Sequence, residues 1–298
     1  MNILELHELN KQQKAEIENL VRECLELEGL ERTIYLDNDI NFYVDLNSFY
    51  LLYDKGRLVS VLTVLQPLEE EAEITAYTLP AERKKGYFKA LFQRAEEELL
   101  SFGISRILFV AEPKSVSGIS ALKALDAVYY KSEYLLAYPF PEASINNTMY
   151  FSAPDFQPLF ELIEITRERQ EEAAVLGSEI FCTDVEETQD VIEIAMNSEF
   201  MKCYGAYLEN KLIGICSISY GTTQASIFGF GIAPGCQGRG YGRRLLKQVM
   251  NMLRNKGTEV ITLHVGSENA RAYSLYTSVG FKIQTQYDYY ESGMRKDI

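Results

Sequence analysis

From Tyr241 onward, apolar residues fall at Leu245, Leu246, Val249, Met250 and Leu253, three and four apart, with Arg243, Arg244 and Lys247 between them. That spacing predicts an amphipathic helix with one buried face, and Gly257 supplies its stop. The run just before it, Ser226 to Ile232, predicts an apolar strand that Pro234 ends. Strand and helix are joined by Gln237-Gly238-Arg239-Gly240-Tyr241-Gly242. A glycine-rich turn feeding a helix N-terminus collects free backbone N–H groups at the positive end of the helix dipole, a place suited to a pyrophosphate.

The same alternation of periods occurs twice. Gly86-Tyr87 and Gly240-Tyr241 occupy the same step of a strand, turn and helix, 154 residues apart, and one offset also superposes Tyr53 on Tyr207, Leu58 on Leu212, Pro80 on Pro234, Leu91 on Leu245, Leu99 on Leu253, Gly103 on Gly257, Ile107 on Ile261 and Ser120 on Ser274. The register needs no gap from Tyr53 to about Val128 and keeps Pro and Gly at the punctuating positions, which is the mark of an internal duplication.

In the second copy the pattern predicts a strand at 148–152, a helix capped by Asp155 and running to about Ala174, and a second helix at 184–195. A hairpin follows (203–208 and 212–219, turning through Glu209-Asn210-Lys211), then the strand to Ile232, the long helix, a strand at 260–265, a helix at 269–278 and a strand at 281–289. The first copy predicts strand 3–6, helix 11–27, strands 49–53, 58–65 and 73–79, helix 86–102, strand 106–111, a short helix near 117–125 and strand 129–137. The fold class is α+β, with a mixed, mostly antiparallel sheet in each copy. The expected domains are 1–137 and 148–298, and 138–147, with Pro139 and Pro141, is the expected linker.

Composition narrows the function. At 298 residues, 47% hydrophobic and 24% charged, the chain has the make-up of a soluble globular protein. It has no apolar stretch of membrane-spanning length, and its first twenty residues are too polar for a secretory signal. Its five cysteines are odd in number and contain no C-x-x-C pair, which reads as reduced thiols of a cytoplasmic protein, not a disulfide or zinc framework; no metal is expected. A net charge of −14 argues against nucleic acid and leans weakly toward a cationic partner.

The glycine turn does not read as a dinucleotide site. Its spacing is G-x-G-x-G, the flanking elements are hairpins, and the next strand ends in His264-Val265 where a ribose-binding carboxylate belongs. Three alternating glycines also exceed the needs of a tight turn, since each costs backbone entropy. Q-x-x-G-x-G at Gln237–Gly242, together with V-x-x-x-N-x-x-A-x-x-L-Y-x-x-x-G-F met by Val265, Asn269, Ala272, Leu275, Tyr276, Gly280 and Phe281, resembles the acyl-CoA-binding signatures of the GNAT N-acetyltransferase superfamily. The resemblance extends over the element order of the whole second copy and implies two tandem GNAT-like acyl-CoA N-acyltransferase domains.

It implies further that Gln237, Gly238, Arg239, Gly240, Tyr241 and Gly242 donate to the pyrophosphate of acetyl-CoA, with Arg239, Arg243, Arg244 and Lys247 adding positive charge. Ile232 and Ala233 would pair through their backbones with the pantetheine amides. Asn269 would touch the cofactor arm or cap its helix, and Tyr276 would protonate the leaving thiolate. An oxyanion would be met by backbone N–H groups at the end of the 227–232 strand. The general base is open: no acidic residue lies in 226–232, and His264 on the next strand is the alternative to a water chain. The acceptor would be an amine of a small molecule or peptide. The competing reading is a non-catalytic acyl-CoA-binding protein. In the first copy Arg83, Gly86, Phe88, Ser115, Leu122 and Asp126-Ala127 stand where the second has Gln237, Gly240, Gly242, Asn269, Tyr276 and Gly280-Phe281. Leucine cannot donate a proton, and Phe88 is expected to crowd the turn, so the first copy reads as degenerate and the second as the catalytic one.

Overall fold

A computed structural model describes residues 2–140 and 159–292. The chain divides into two compact units, Met1–Ser132 with Thr285–Ile298, and Glu133–Gln284. The first unit opens with β1 (Asn2–Leu6) and α1 (Lys11–Glu28), whose N-terminus is fixed by reciprocal bonds between Asn10 and Gln13 and whose end is Gly29 at φ 64°. It continues through β2 (Phe49–Asp54), β3 (Arg57–Leu65), β4 (Glu71–Thr78), α2 (Tyr87–Ser101), β5 (Arg106–Ala111) and α3 (Val116–Ala124). Neighbouring strands are antiparallel except β4 and β5, which are parallel.

The second unit repeats this plan. A strand β6 (Val128–Pro139) spans the division between the units, and β7 (Glu161–Glu164), α4 (Gln170–Phe181) and α5 (Val185–Asn197) come after it. Next are β8 (Met201–Leu208), β9 (Lys211–Tyr220), β10 (Gln224–Ile232), α6 (Tyr241–Asn255), β11 (Val260–Gly266), α7 (Ala270–Thr277) and β12 (Lys282–Glu291). Again, among the described residues of this unit, β10 and β11 are the parallel pair. The β8–β9 hairpin turns on two residues, Glu209 and Asn210, both at positive φ, as a twist-matched two-residue turn requires. The α6 residues Leu245, Leu246, Val249, Met250 and Leu253 are buried as their spacing predicts.

Three expectations are corrected. Residues 161–164 form a strand in place of the expected helix, which starts only at Gln170. Leu162 packs with the core that contains Leu245, and Ile163 with the one that contains Ile215. An E-L-I-E run with a core on each face suits a strand. The rest of that expected helix, from Asp155, and the expected strand 148–152 lie outside the described residues. Second, residues 138 and 139 of the expected linker are strand: Pro139 pairs with Val260, and Phe140 N–H donates to Glu259 O at 2.8 Å. Third, the last strand of each copy completes the other sheet. Residues 133–139 of β6 pair with β11, while Asp288–Glu291 of β12 pair with β5. Alternation fixes which face of a strand is buried, not which neighbour it joins.

Candidate functional site

The site begins with an irregularity in β10. Gly229 takes φ 54°, the register against β9 shifts between Phe228 and Gly231, and the ladder to β11 ends at Ile227–Leu263, though β10 runs on to Ile232. Such a bulge bends the strand and re-aims the residues beyond it. A Cβ on Gly231 would lie 2.3 Å from Ile180 Cγ2, so glycine is what lets α4 pack there. Ala233 N–H donates to Ile213 O at 2.8 Å. Antiparallel alternation therefore turns the Ile232 amide away from β9, toward the edge that β11 has left. Of the two amides expected to meet the pantetheine arm, that of Ile232 faces the edge and that of Ala233 donates to β9.

After a short turn at Pro234–Cys236, Gly238 and Gly240 hold φ 75° and 76°. A Cβ at either would meet nothing within 4 Å. Gly240 caps α6, its carbonyl accepting from Arg244 N–H at 3.2 Å, so the N–H groups of Tyr241, Gly242 and Arg243 have no helical acceptor. Gly242 differs, because its Cβ would make ordinary contacts with Leu275 Cδ2 at 3.5 Å and Ile232 Cγ1 at 3.8 Å. The Gln237 side chain braces the turn, Nε2 donating to Ile232 O at 2.9 Å and Oε1 accepting from Arg271 at 2.6 Å. The Tyr241 ring meets Phe160 edge-on at 5.9 Å.

Arg271 is the residue that sequence reasoning passed over. It falls at an unspecified position of the N-x-x-A pattern, and only the fold of α7 carries it to the turn. Of the expected cations, Arg243 instead ties α6 to α7 by donating to Ser278 O at 2.8 Å, and Arg239 and Arg244 are exposed. Asn269 caps α7, its side chain accepting from Ala272 N–H at 3.0 Å.

Two turns along α7 from that cap, Tyr276 is 7% exposed, its ring 6.2 Å from Phe230 and 6.0 Å from Phe281. Gly280, at φ 106°, ends the segment and lets Phe281 N–H donate back to Tyr276 O at 3.2 Å. The G-F of the motif thus closes over the tyrosine. Burial raises the Tyr276 phenol to about 12. Its hydroxyl makes no hydrogen bond among the described residues. His264 is exposed on β11, its Nδ1 3.7 Å from Glu133 Oε2 on β6.

In the first unit Leu122 is buried at the position of Tyr276, and Lys84 and Gly86 repeat the left-handed steps at φ 65° and 82°. Phe88 does not crowd that turn. Its ring lies 6.3 Å from both Phe92 and Phe109, in the core between α2 and β5.

The sequence matches the profile of the Acetyltransferase (GNAT) family twice, over residues 14–119 and 163–281. N-alpha-acetyltransferase RimI of Mycobacterium tuberculosis is 31% identical over 122 residues, 40% of this chain and 75% of that protein. A mycothiol acetyltransferase of Beutenbergia cavernae is 46% identical over 55 residues, 18% of each chain, so the match spans under a fifth of that relative. A GCN5-related N-acetyltransferase from Sphaerobacter thermophilus superposes with TM-score 0.71 at 16% identity, covering 97% of this chain and 95% of its own. A tandem GNAT protein from the clavulanic acid biosynthesis pathway superposes with TM-score 0.68 at 16% identity, covering 97% of both chains. These two likenesses establish the α+β fold and its tandem arrangement.

Proposed function

Since the chain belongs to the acetyltransferase (GNAT) family, we propose that it transfers an acetyl group from acetyl-CoA to an amine, and that the second copy carries the chemistry. The observation that carries this reading is the pair of left-handed glycines facing open space at the N-terminus of α6, in the same unit as the unclaimed Tyr276 hydroxyl. The residues present suit acetyl-CoA. The N–H groups of Gly238 to Arg243 and the Arg271 guanidinium match a pyrophosphate, and the Ile232 amide matches a pantetheine carbonyl. When bound, acetyl-CoA supplies the acetyl group as a thioester.

In the reaction the amine nitrogen bonds to the acyl carbon, the C–S bond breaks, the amine proton leaves to solvent and the thiolate is protonated. Tyr276 acts at the sulfur. With burial raising the phenol to about 12, full proton transfer from it to the thiolate is uphill. Its role is accordingly a hydrogen bond that stabilises the departing sulfur, with water completing the protonation. The aromatic walls of Phe230 and Phe281 strengthen that bond by lowering the local dielectric. No carboxylate lies on β10, and the acceptor reacts as the neutral amine.

The acceptor is an amine of a small molecule or a peptide. Relatives named for mycothiol and for the alanine of a ribosomal protein represent both kinds, and the net charge of −14 leans toward cationic acceptors. The test is CoA-thiol release with acetyl-CoA and a panel of polyamines, aminoglycosides, amino acids and peptide N-termini. Release with at least one acceptor is expected. Tight acetyl-CoA binding with no release for any acceptor would instead make the chain a non-catalytic acyl-CoA-binding protein.

A further inference from the structure

The first unit keeps the backbone of the glycine turn, with open space beside Gly86 as beside Gly240, and ties up the side chains around it. Lys84 adopts φ 65° where the second unit has Gly238, a conformation that an L side chain takes only at a cost, and Gly86 repeats Gly240. Around this turn Arg83, Ser115 and Ser117 stand at the positions of Gln237, Asn269 and Arg271. In the second unit Gln237 and Arg271 bond to each other. In the first, the three side chains converge on one carboxylate, that of Glu28, the last residue of α1. Ser115 Oγ donates to Glu28 Oε2 at 3.1 Å, Ser117 Oγ donates to Oε1 at 2.7 Å, and the Arg83 guanidinium forms an ion pair with Oε1.

The Glu28 side chain is 13% exposed. Ser115 also caps α3 by accepting from Gly118 N–H, so the carboxylate sits at a helix N-terminus. Arg83 is anchored by its Nε donating to Thr78 O at 3.1 Å, and Lys85 is drawn off by Glu82 at 2.6 Å. In the second unit the corresponding helix α4 ends in Phe181, which brings no charge. A guanidinium and two hydroxyls beside a left-handed turn are donors that a pyrophosphate would meet, and here the Glu28 carboxylate already holds all three.

We propose that Glu28 closes a second pyrophosphate site in the first unit, and that neutralising it opens this turn to CoA and to inorganic pyrophosphate. The inference rests on reading Gln237–Gly242 as a phosphate cradle, because the first turn is its copy. Calorimetric titration of the full chain with CoA tests it in a Gly240→Asp background, where the second turn is blocked. Gly240→Asp alone is expected to bind none, Gly240→Asp/Glu28→Gln one equivalent, and addition of Arg83→Gln to abolish that equivalent. Binding of CoA by Gly240→Asp with Glu28 intact would overturn the proposal, as would no binding by a folded double variant.

The wild-type chain gives a second readout that needs no variant at Glu28. On titration with inorganic pyrophosphate, the amide resonances of Lys84, Lys85 and Gly86 are expected to stay in place while those of Gly238 and Gly240 move. Movement at Lys84–Gly86 overturns the closed site. Stationary resonances at Gly238 and Gly240 would count against the function proposed for the second unit.

Discussion

Gly238 and Gly240 hold φ 75° and 76° with no atom within 4 Å of a Cβ, so glycine is needed there for conformation and for close approach of a ligand. Gly242 lies in the same motif, yet its Cβ would make contacts of 3.5 and 3.8 Å. The two positions are therefore expected to separate in one binding measurement. Gly240→Asp adds strain and a repelling charge and should weaken acetyl-CoA binding by more than about 100-fold, whereas Gly242→Ala should stay within about threefold. Equal losses would mean that the turn is held for some other purpose. Arg271→Ala removes the cation beside Gln237 and should raise the acetyl-CoA Kd about tenfold with kcat unchanged, as expected for a charge-assisted contact. The glycines and Tyr276 were legible because a backbone requirement and a motif pointed to each. Arg271 was not, since its place at the turn exists only once α7 is folded. The high pKa of Tyr276 was hidden for the same reason, because burial is a property of the packed unit. With the phenol near 12, the kcat profile should rise with acceptor deprotonation and stay flat to about pH 10. A falling limb near pH 8 would assign the donor to another group.

Among the elements, α6 and the β8–β9 hairpin were readable because periodicity and turn chemistry agreed. The region before α4 was not, since a short apolar run bounded by glutamates satisfies a strand as well as a helix. The β10 bulge had a signal in Gly229 and Gly231, but its consequence, parting from β11 beyond Ile227, needed the register. Gly231→Ala puts a Cβ 2.3 Å from Ile180 Cγ2 and should destabilise the fold by about 1–3 kcal/mol in urea unfolding. No change would mean that α4 can shift freely. The clamp joining α1, the first glycine turn and α3 has a pH signature. Burial pushes the Glu28 carboxyl up, but hydrogen bonding from Ser117 and the Arg83 charge outweigh it and leave the pKa below 4.5. A lowered folded pKa contributes stability that is present above the unfolded value and lost as pH falls through the folded one. The stability gap between wild type and Glu28→Gln should accordingly shrink below about pH 4.5. A gap independent of pH would mean that the carboxylate charge contributes nothing.

At the scale of the whole molecule, the duplication was visible as one ungapped offset, while the exchange of last strands was not. The first unit takes its last strand from the far end of the chain, whereas the second is one continuous stretch that begins within β6. In the first unit β12 brings Thr285, which donates to the buried Glu112 carboxylate at 2.9 Å, and Glu291, 3.3 Å from Arg106. Deleting residues 285–298 should therefore strip hydrogen-exchange protection from β5. Retained protection would show that the first unit is complete without that strand. Under the proposed function the chemistry is distributed just as unequally, because Leu122 stands where the second unit has Tyr276. The most direct test is the steady-state kcat of Tyr276→Phe in the full chain with the best acceptor, measured beside its acetyl-CoA Kd. A fall of about 100-fold in kcat at unchanged Kd is predicted, and an undiminished kcat would contradict the account.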